Sequence, residues 1–383
     1  MRHVFFLARQ YLRFNRLQTA ILIAGITVTL YLPLTVNGLV VRYQAGLLER
    51  AAATPLVAGG LGSRFDLVLH ALYFRGNVPR PLRMADMDTM RATGYAEPIP
   101  LYVRYTAKHV PIVGTTLDYF DFRQLRIAQG EQLLQLGDCV LGAEAAAALK
   151  LGPGDRLMTD PENVFDIAGA YPVNMRVVGV LVPAGTPDDR VVFVDVKTAW
   201  LIAGNAHGHQ NVTEEALVLS RSASNVTANA ALPEFTEVTA ENIASFHFHG
   251  DPADLPVTAI LPVPVDEKSA TLLRGRYQGA DATLQLLTPR GVVEELMSLV
   301  FRIKRFFDAN AVLVAGATGL FLVLVVMLSV RLRRPEMETM HRLGCARGMM
   351  VKLVVAELVA IALVSVAFAA AGAAITMKVV SVW

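Results

Sequence analysis

Three uncharged apolar runs, one near the start of the chain and two together at its end, limit its possible folds more than any other feature. The first runs from Leu17 to Val41, 25 residues without a charge, and the second from Ala309 to Val330, 22 without one. The third spans roughly Leu353–Met377; Glu357 interrupts it near its start and leaves 20 uncharged residues from Leu358. At a rise of ~1.5 Å per residue, ~20 apolar residues cross the hydrocarbon core of a bilayer. About 265 residues separate the first run from the second, and they read as a folded, water-soluble domain. This layout predicts a membrane protein with three transmembrane α-helices and a large external α/β domain inserted between helices 1 and 2.

Composition fits that layout. Of 383 residues, 54% are hydrophobic and 18% charged, too apolar for a typical soluble chain and too polar for one buried wholly in lipid. A net charge of +2 with no Lys/Arg run gives no sign of nucleic-acid binding. The first run is flanked by Arg9, Arg13 and Arg16, and Ala51-Ala52-Ala53 resembles a signal-peptidase site. A signal peptide has only ~7–15 apolar residues and is cut directly after them, so the run reads as a retained anchor.

Arginine and lysine set the orientation. Arg2, Arg9, Arg13 and Arg16 precede the first span, and Arg331, Arg333, Arg334, Arg342, Arg347 and Lys352 follow the second. Both segments are expected in the cytoplasm, with the large domain and the C-terminus outside. Arg302, Lys304 and Arg305 oppose this, but large domains translocate largely regardless of charge. The expected divisions are a cytoplasmic amphipathic helix at 1–16, a span at 17–41 and the external domain at 42–291. A stalk helix at 292–308, a span at 309–330, a cytoplasmic coupling loop at 331–352 and a span at 353–379 complete them. Cys139 and Cys345 then lie on opposite sides of the bilayer and form no disulfide within one chain.

Within the external domain, residues 64–73 alternate enough to predict a strand, and Asp86–Ala92 a short helix. Leu101–Tyr105 and His109–Val113 predict strands around a turn. Ala143–Leu149 predicts a helix stopped by Gly152-Pro153-Gly154. Arg176–Val182 and Arg190–Val194 predict β-branched strands, with Ala184–Asp189 as a turn in which Asp188 and Asp189 serve as turn residues. A polar stretch beginning near Asn205 marks a soft subdomain boundary.

Before the second span, Val293, Leu296, Val300, Ile303 and Phe307 recur at coiled-coil steps of 3, 4, 3 and 4. The stripe packs either on the helix leaving the first span, at Tyr43, Leu47 and Leu48, or on the domain's own core. In the cytoplasmic loop, Pro335 suits a first helical turn, and Glu336 and Glu338 favour a helix N-terminus. Met337, Met340 and Leu343 share an apolar face, and Gly344 can end the helix. Such a Met-rich amphipathic helix suits docking on another protein; the plainer alternative is an interfacial lipid anchor. In the first span, Thr27, Thr29, Thr35 and Asn37 are expected to face protein or a cavity, with Pro33 as a kink and a second copy of the chain as neighbour.

The loop residues Arg333, Arg334, Glu336, Leu343, Gly344 and Cys345 follow an Arg-rich start, a Glu and a Leu-Gly-Cys turn. Val113-Gly-Thr-Thr-Leu-Asp-Tyr-Phe120, Leu141-Gly-Ala-Glu144, Val178-Gly-Val-Leu181 and Gly185-Thr-Pro187 follow in order. In these segments the chain resembles the MacB/FtsX-like ABC transporter permeases, the macrolide-exporter and lipoprotein-releasing group. The resemblance implies a homodimeric permease of the bacterial inner membrane with a MacB-like periplasmic domain. It further implies that the chain works by mechanotransmission with a separate ATPase dimer that holds ATP and Mg²⁺. Arg333, Arg334, Glu336, Met337, Met340, Leu343, Gly344 and Arg347 are then the ATPase-coupling residues. Thr27, Thr29, Pro33 and Asn37 line the cavity or dimer contact. The cargo class is a lipid, lipoprotein or drug-like amphiphile, and a periplasmic adaptor or binding protein and membrane lipids are further partners. The family usually has four spans; here the fourth is absent in a three-span variant, lost by truncation, or supplied by a partner.

The chain itself carries no G-x-x-x-x-G-K-[ST] phosphate loop, and Gly59-Gly-Leu-Gly-Ser63 lacks the lysine. Ser63, Ser220 and Ser222 sit in no nucleophile elbow, so no enzyme activity is expected. Asn211-Val-Thr213 and Asn225-Val-Thr227 match the glycosylation pattern by chance. His207-Gly-His209 and His247-Phe-His249 each place two imidazoles on one strand face, and Asp251 extends the second set at i+4. Together they are a candidate zinc site, expected to lose affinity below about pH 6, or else solvated loops. Two readings stay open beside the transporter: a non-transporting transmembrane scaffold or sensor that regulates an envelope enzyme, and a metal-linked transport component. A substrate pocket between the first and second spans favours the transporter over the scaffold.

Overall fold

The first departure from the sequence reading begins at Ser63. Its hydroxyl accepts a hydrogen bond from Asp66 N–H at 3.2 Å, a helix N-cap, and Arg64–Tyr73 form a helix instead of the expected strand. Leu67, Val68, Ala71 and Leu72 are buried at the helical spacing i, i+1, i+4 and i+5. The apparent alternation came from Phe65, Leu67 and Leu69, which share no face once the cap has set a 3.6-residue period.

The computed structural model describes residues 2–161, 172–208, 218–221, 226–228, 235–279, 282–332, 334–342 and 347–380. It divides into two compact units, Met1–Leu47 with Glu295–Trp383, and Leu48–Glu294. In chain order, α1 (Arg2–Phe14) and α2 (Arg16–Ala52) lead into the central unit. That unit contains β1 (Val57–Gly60), α3 (Arg64–Tyr73), β2 (Leu82–Arg83), α4 (Met84–Arg91), β3 (Ala96–Ala107), β4 (Val110–Thr115) and α5 (Leu117–Arg123). It continues through β5 (Ile127–Gly130), β6 (Asp138–Leu141), α6 (Ala143–Leu149), β7 (Arg156–Met158), β8 (Asn174–Leu181), β9 (Val192–Asp195) and α7 (Val196–Ile202). Then come β10 (Ala206–Gly208), β11 (Val218–Arg221), β12 (Val226–Ala228), β13 (Phe246–Phe248), β14 (Pro256–Val257), β15 (Ala259–Pro264), α8 (Glu267–Arg276) and β16 (Leu284–Leu287). The chain closes with α9 (Pro289–Leu332), α10 (Arg334–Arg342) and α11 (Arg347–Val380).

The central unit is built on one ten-stranded mixed sheet, in the order β16-β1-β15-β3-β4-β9-β6-β8-β5, with β7 added on β8. The expected hairpin is β3 and β4, paired antiparallel around Lys108 and His109. Both turn residues have positive φ, 47° and 67°, and Asp160 holds them by accepting from both of their N–H groups at 2.8 Å. The predicted strands at Arg176–Val182 and Arg190–Val194 correspond to β8 and β9. They are not neighbours; β6 lies between them, parallel to β8 and antiparallel to β9. Ile112, Leu141, Leu157, Met175, Val177, Val192 and Val194 are buried where these strands meet. Each such side chain contributes roughly 1.5–3 kcal/mol of burial.

The helix at Ala143–Leu149 is present as α6. Lys150, in the left-handed conformation at φ 57°, ends it before the glycines expected to do so are reached. Beyond Asn205 the chain leaves the main sheet until β15 rejoins it: β10 pairs with β13, and β11 with β12, as separate two-stranded ribbons.

In the other unit, α1 packs on α11. The helices Arg16–Ala52, Pro289–Leu332 and Val351–Val380 are each long and apolar enough to cross a membrane. Pro33 lies inside α2 without interrupting it. The stripe at 293–307 falls inside α9, which runs unbroken; Val293 is buried, and Ile303 and Phe307 are exposed in the single chain.

Candidate functional site

The last turn of α2 carries an arginine into the interior of the central unit. Arg50 is 7% exposed, and its guanidinium forks onto Asp188, with Nη1 to Oδ2 at 2.6 Å and Nη2 to Oδ1 at 2.9 Å. Nη2 also donates to Tyr119 Oη at 2.9 Å, and Nε to the Leu72 carbonyl at 3.3 Å. Asp188 is fully buried. It accepts further bonds from Tyr119 O–H at 2.7 Å and Thr186 O–H at 2.9 Å. Burial alone would raise the Asp188 carboxyl, but the Arg50 charge and these hydrogen bonds hold it below the ordinary carboxylate range. Burial pushes the Tyr119 phenol up, so it stays a donor.

A second arginine supports the same helix end. Arg123 Nη2 donates to Thr54 Oγ1 at 2.8 Å, and Thr54 Oγ1 bonds back to Arg50 O at 3.0 Å. The Arg123 guanidinium lies 4.6 Å from the centre of the Phe122 ring. Beneath the cluster, Phe193 packs between Tyr119 and Phe120 at ring distances of 5.7 and 5.2 Å.

Three of the sequence segments quoted above meet here. The first supplies Tyr119 and Phe120. Gly185-Thr-Pro187 supplies Thr186, and Asp189 ties down the turn by accepting from Ala184 N and Gly185 N at 3.0 and 2.7 Å. Leu141-Gly-Ala-Glu144 supplies Gly142, where a β-carbon would collide with the backbone of Asp188 and Asp189. The reading of Asp188 as a turn residue is therefore corrected: Asp189 does that work, and Asp188 is the buried counter-ion of Arg50. No local signal marks this pair, because its members lie far apart in sequence.

The expected coupling residues fall around α10. Arg334 opens it and is exposed; Glu336, Met337 and Met340 lie within it, and Arg347 opens α11. Arg333, Leu343, Gly344 and Cys345 lie outside the described residues. In α2, Thr29 Oγ1 bonds back to Gly25 O at 2.8 Å and meets Thr318 Oγ1 of α9 at 3.0 Å. Thr27 Oγ1 reaches Ser365 O of α11 at 3.5 Å, and Tyr31 Oη meets Thr376 Oγ1 at 2.8 Å. Thr35 is buried with no hydrogen-bond partner for its hydroxyl among the described residues, and Asn37 is exposed in the single chain. An open apolar groove of about 610 Å³ in this unit lies between the first span and the third, lined by Ala20, Ile23, Ala24, Tyr31, Phe368 and Gly372 among others.

Of the expected metal ligands, His207, His247 and His249 come together, with candidate ligand atoms all within 4.8 Å of one another. His209 lies outside the described residues. Asp251 does not join them. Gly250, at φ 81°, turns the chain, and the Asp251 carboxylate instead accepts from Ala253 N at 2.8 Å. Of the cysteines, Cys139 is buried, and burial pushes its thiol up.

Residues 24–241 match the family model of the MacB-like periplasmic core domain. No curated protein matches the chain. Among solved structures, the chain is similar to the periplasmic region of MacB from Actinobacillus actinomycetemcomitans. Identity there is 13% and the TM-score 0.38, over 65% of this chain and 97% of that one. It is also similar to the extracellular domain of the noncanonic ABC-type transporter YknZ from Gram-positive bacteria, at 12% identity and TM-score 0.33, over 61% and 98%. A permease-protein domain from Porphyromonas gingivalis aligns at 11% identity and TM-score 0.27, over 60% and 85%. The family match covers more than half of the chain, which therefore belongs to the MacB/FtsX-like ABC transporter permeases and carries their MacB-like periplasmic core domain.

Proposed function

We propose that this permease works as a mechanical transmitter, taking motion from a separate cytoplasmic ATPase dimer to its external domain. The end of α2 carries the reading. That helix is unbroken from Arg16 to Ala52, and Arg50 in its last turn is gripped by three elements of the central unit. A helix held this way cannot shift at its far end without moving the residues that grip it. α9 has the same character: it is one helix from Pro289 to Leu332, and Val292 and Val293 of its first turns are buried. A flexible linker at either place would absorb displacement rather than pass it on.

ATP hydrolysis belongs to the partner, and two copies of this chain complete the permease in a bacterial inner membrane. The arginines flanking the spans favour a cytoplasmic N-terminus and coupling loop. The cargo is a hydrophobic or amphiphilic molecule handled outside or in the outer leaflet.

The helix α10 at Arg334–Arg342 is the docking element for the ATPase. Met337 and Met340 stand at i and i+3, so aspartates there put two charges on one helical face. Full-length protein purified in mild detergent is expected to bring down an ABC ATPase identifiable by mass spectrometry. The M337D/M340D variant should insert normally and lose it. An ATPase that co-purifies equally with the variant would remove α10 as the docking element. Capture of an envelope enzyme with no ATPase would favour the scaffold.

A further inference from the structure

We propose that His207, His247 and His249 form a binding site for Zn²⁺ on the central unit, independent of the transmission reading. β10 and β13 pair antiparallel with His207 directly opposite His247. Residues facing each other across such a pair point to the same side, and His249, two positions on, returns to that side. The imidazole rings form a tight triangle, with centroids 4.8, 4.6 and 5.0 Å apart.

Packing on the opposite face sets this orientation. Phe246 packs against the hydrophobic core, and the Phe248 ring meets Trp200 edge-on at 6.4 Å. Phe246 and Phe248 share one face of the strand, so period-2 alternation places His247 and His249 on the other. His247 and His249 are exposed and His207 half-buried, so core packing does not account for the cluster. The spacing suits a metal. Zn–N bonds of ~2.0–2.1 Å at tetrahedral angles put ligand nitrogens about 3.3 Å apart. The donor atoms, all within 4.8 Å of one another, have at most about 1.5 Å to close to that spacing.

One second-sphere contact is already in place. His247 Nδ1 lies 3.2 Å from the Ser245 carbonyl, which can only accept. Nδ1 therefore carries the proton at this contact, and an orienting carbonyl on one ring nitrogen is common in metal-binding histidines. Three imidazoles without a thiolate suit Zn²⁺ and its late first-row neighbours rather than Ca²⁺ or Mg²⁺. A three-ligand exposed site leaves the fourth position to water or an incoming donor. That suits reversible capture of the ion from the external medium better than a closed structural clamp.

The test uses tag-free, full-length protein in detergent, stripped with a chelator and titrated calorimetrically with ZnCl₂ at about pH 7.5. One Zn²⁺ per chain is expected, at micromolar or tighter affinity. Binding should weaken on acidification to about pH 5.5, because the ligands must be neutral. H249A should weaken it by at least ~10-fold, since even outer-sphere losses cost that much, and H247A/H249A should abolish it. Co²⁺ in place of Zn²⁺ should give the intense visible bands of a tetrahedral centre. Trp200 fluorescence checks that the variants fold; if the double variant does not, H249A decides alone, because it alters an exposed side chain. No zinc heat with the wild type, or heat unchanged in H249A, overturns the proposal.

Discussion

Asp188→Asn is expected to cost the central unit about 3–5 kcal/mol, the usual result of leaving one member of a buried ion pair uncompensated. Asparagine keeps the shape and can still accept a bond from Tyr119. What it removes is the charge facing Arg50, in a place where both side chains are buried. Arg50→Met should cost a similar amount by stranding the carboxylate instead. The double variant R50M/D188L removes both members of the pair together, and such replacements are often neutral or stabilising. Tyr119→Phe deletes a single hydroxyl bonded to both partners and should cost less, about 1–3 kcal/mol. Urea unfolding of the full-length protein, followed by Trp200 fluorescence, measures all four. A D188N loss below about 1 kcal/mol, or a double variant as unstable as the singles, would remove the pair as the anchor of α2. If the pair also passes on motion, R50M/D188L should fold and yet uncouple ATP hydrolysis from the external domain. The Asp188 contribution is present above the ordinary carboxylate pKa of ~3.9 and is lost as pH falls through its lower folded value.

The three long apolar helices were legible because they need only composition and length: 20 or so uncharged residues in a row have few other uses. The β3–β4 hairpin and α6 were legible for a related reason, since their signals are local. The segment at 64–73 misled because three apolar residues alternate there while the decisive contact is a single cap, Ser63 to Asp66. The Arg50–Asp188 pair was invisible for the opposite reason. Each residue is unremarkable among its neighbours in sequence, and only the fold brings together α2, α5 and the turn before β9. The segments that suggested the family did point there, although as strings they say nothing of an ion pair. The histidine cluster lies between these cases. Period-2 alternation put His247 and His249 on one face, but which strand lies opposite is a non-local fact, and Gly250 ends the alternation before Asp251 can join.

Acidification from about pH 6.5 to about pH 4 should destabilise the central unit by about 3 kcal/mol through one residue, His70. Its imidazole lies in the core, 2% exposed, on the inner side of α3. Thr258 Oγ1, 2.9 Å from His70 Nε2, gives its one proton to the Leu101 carbonyl and accepts from Val103 N–H. It has nothing left to donate, so His70 Nε2 must carry a proton and donate to it, and the ring is neutral. Burial disfavours the imidazolium and pushes the His70 pKa down from 6.5 to about 4. Between those values the unfolded chain binds a proton that the folded chain refuses. Stability is therefore full above about 6.5, falls as pH drops, and levels off below about 4. At about 1.4 kcal/mol per pH unit, that gap gives the ~3 kcal/mol. The carboxylate of Asp188 titrates lower and lies outside this window. His70→Gln keeps a neutral donor for Thr258; it should lower stability at pH 7 but flatten the slope. Unfolding of metal-free, full-length protein at several pH values, read from Trp200, distinguishes slope from offset. A wild type equally stable at pH 7 and 4.5, or a slope that survives in H70Q, would exclude His70 as the source.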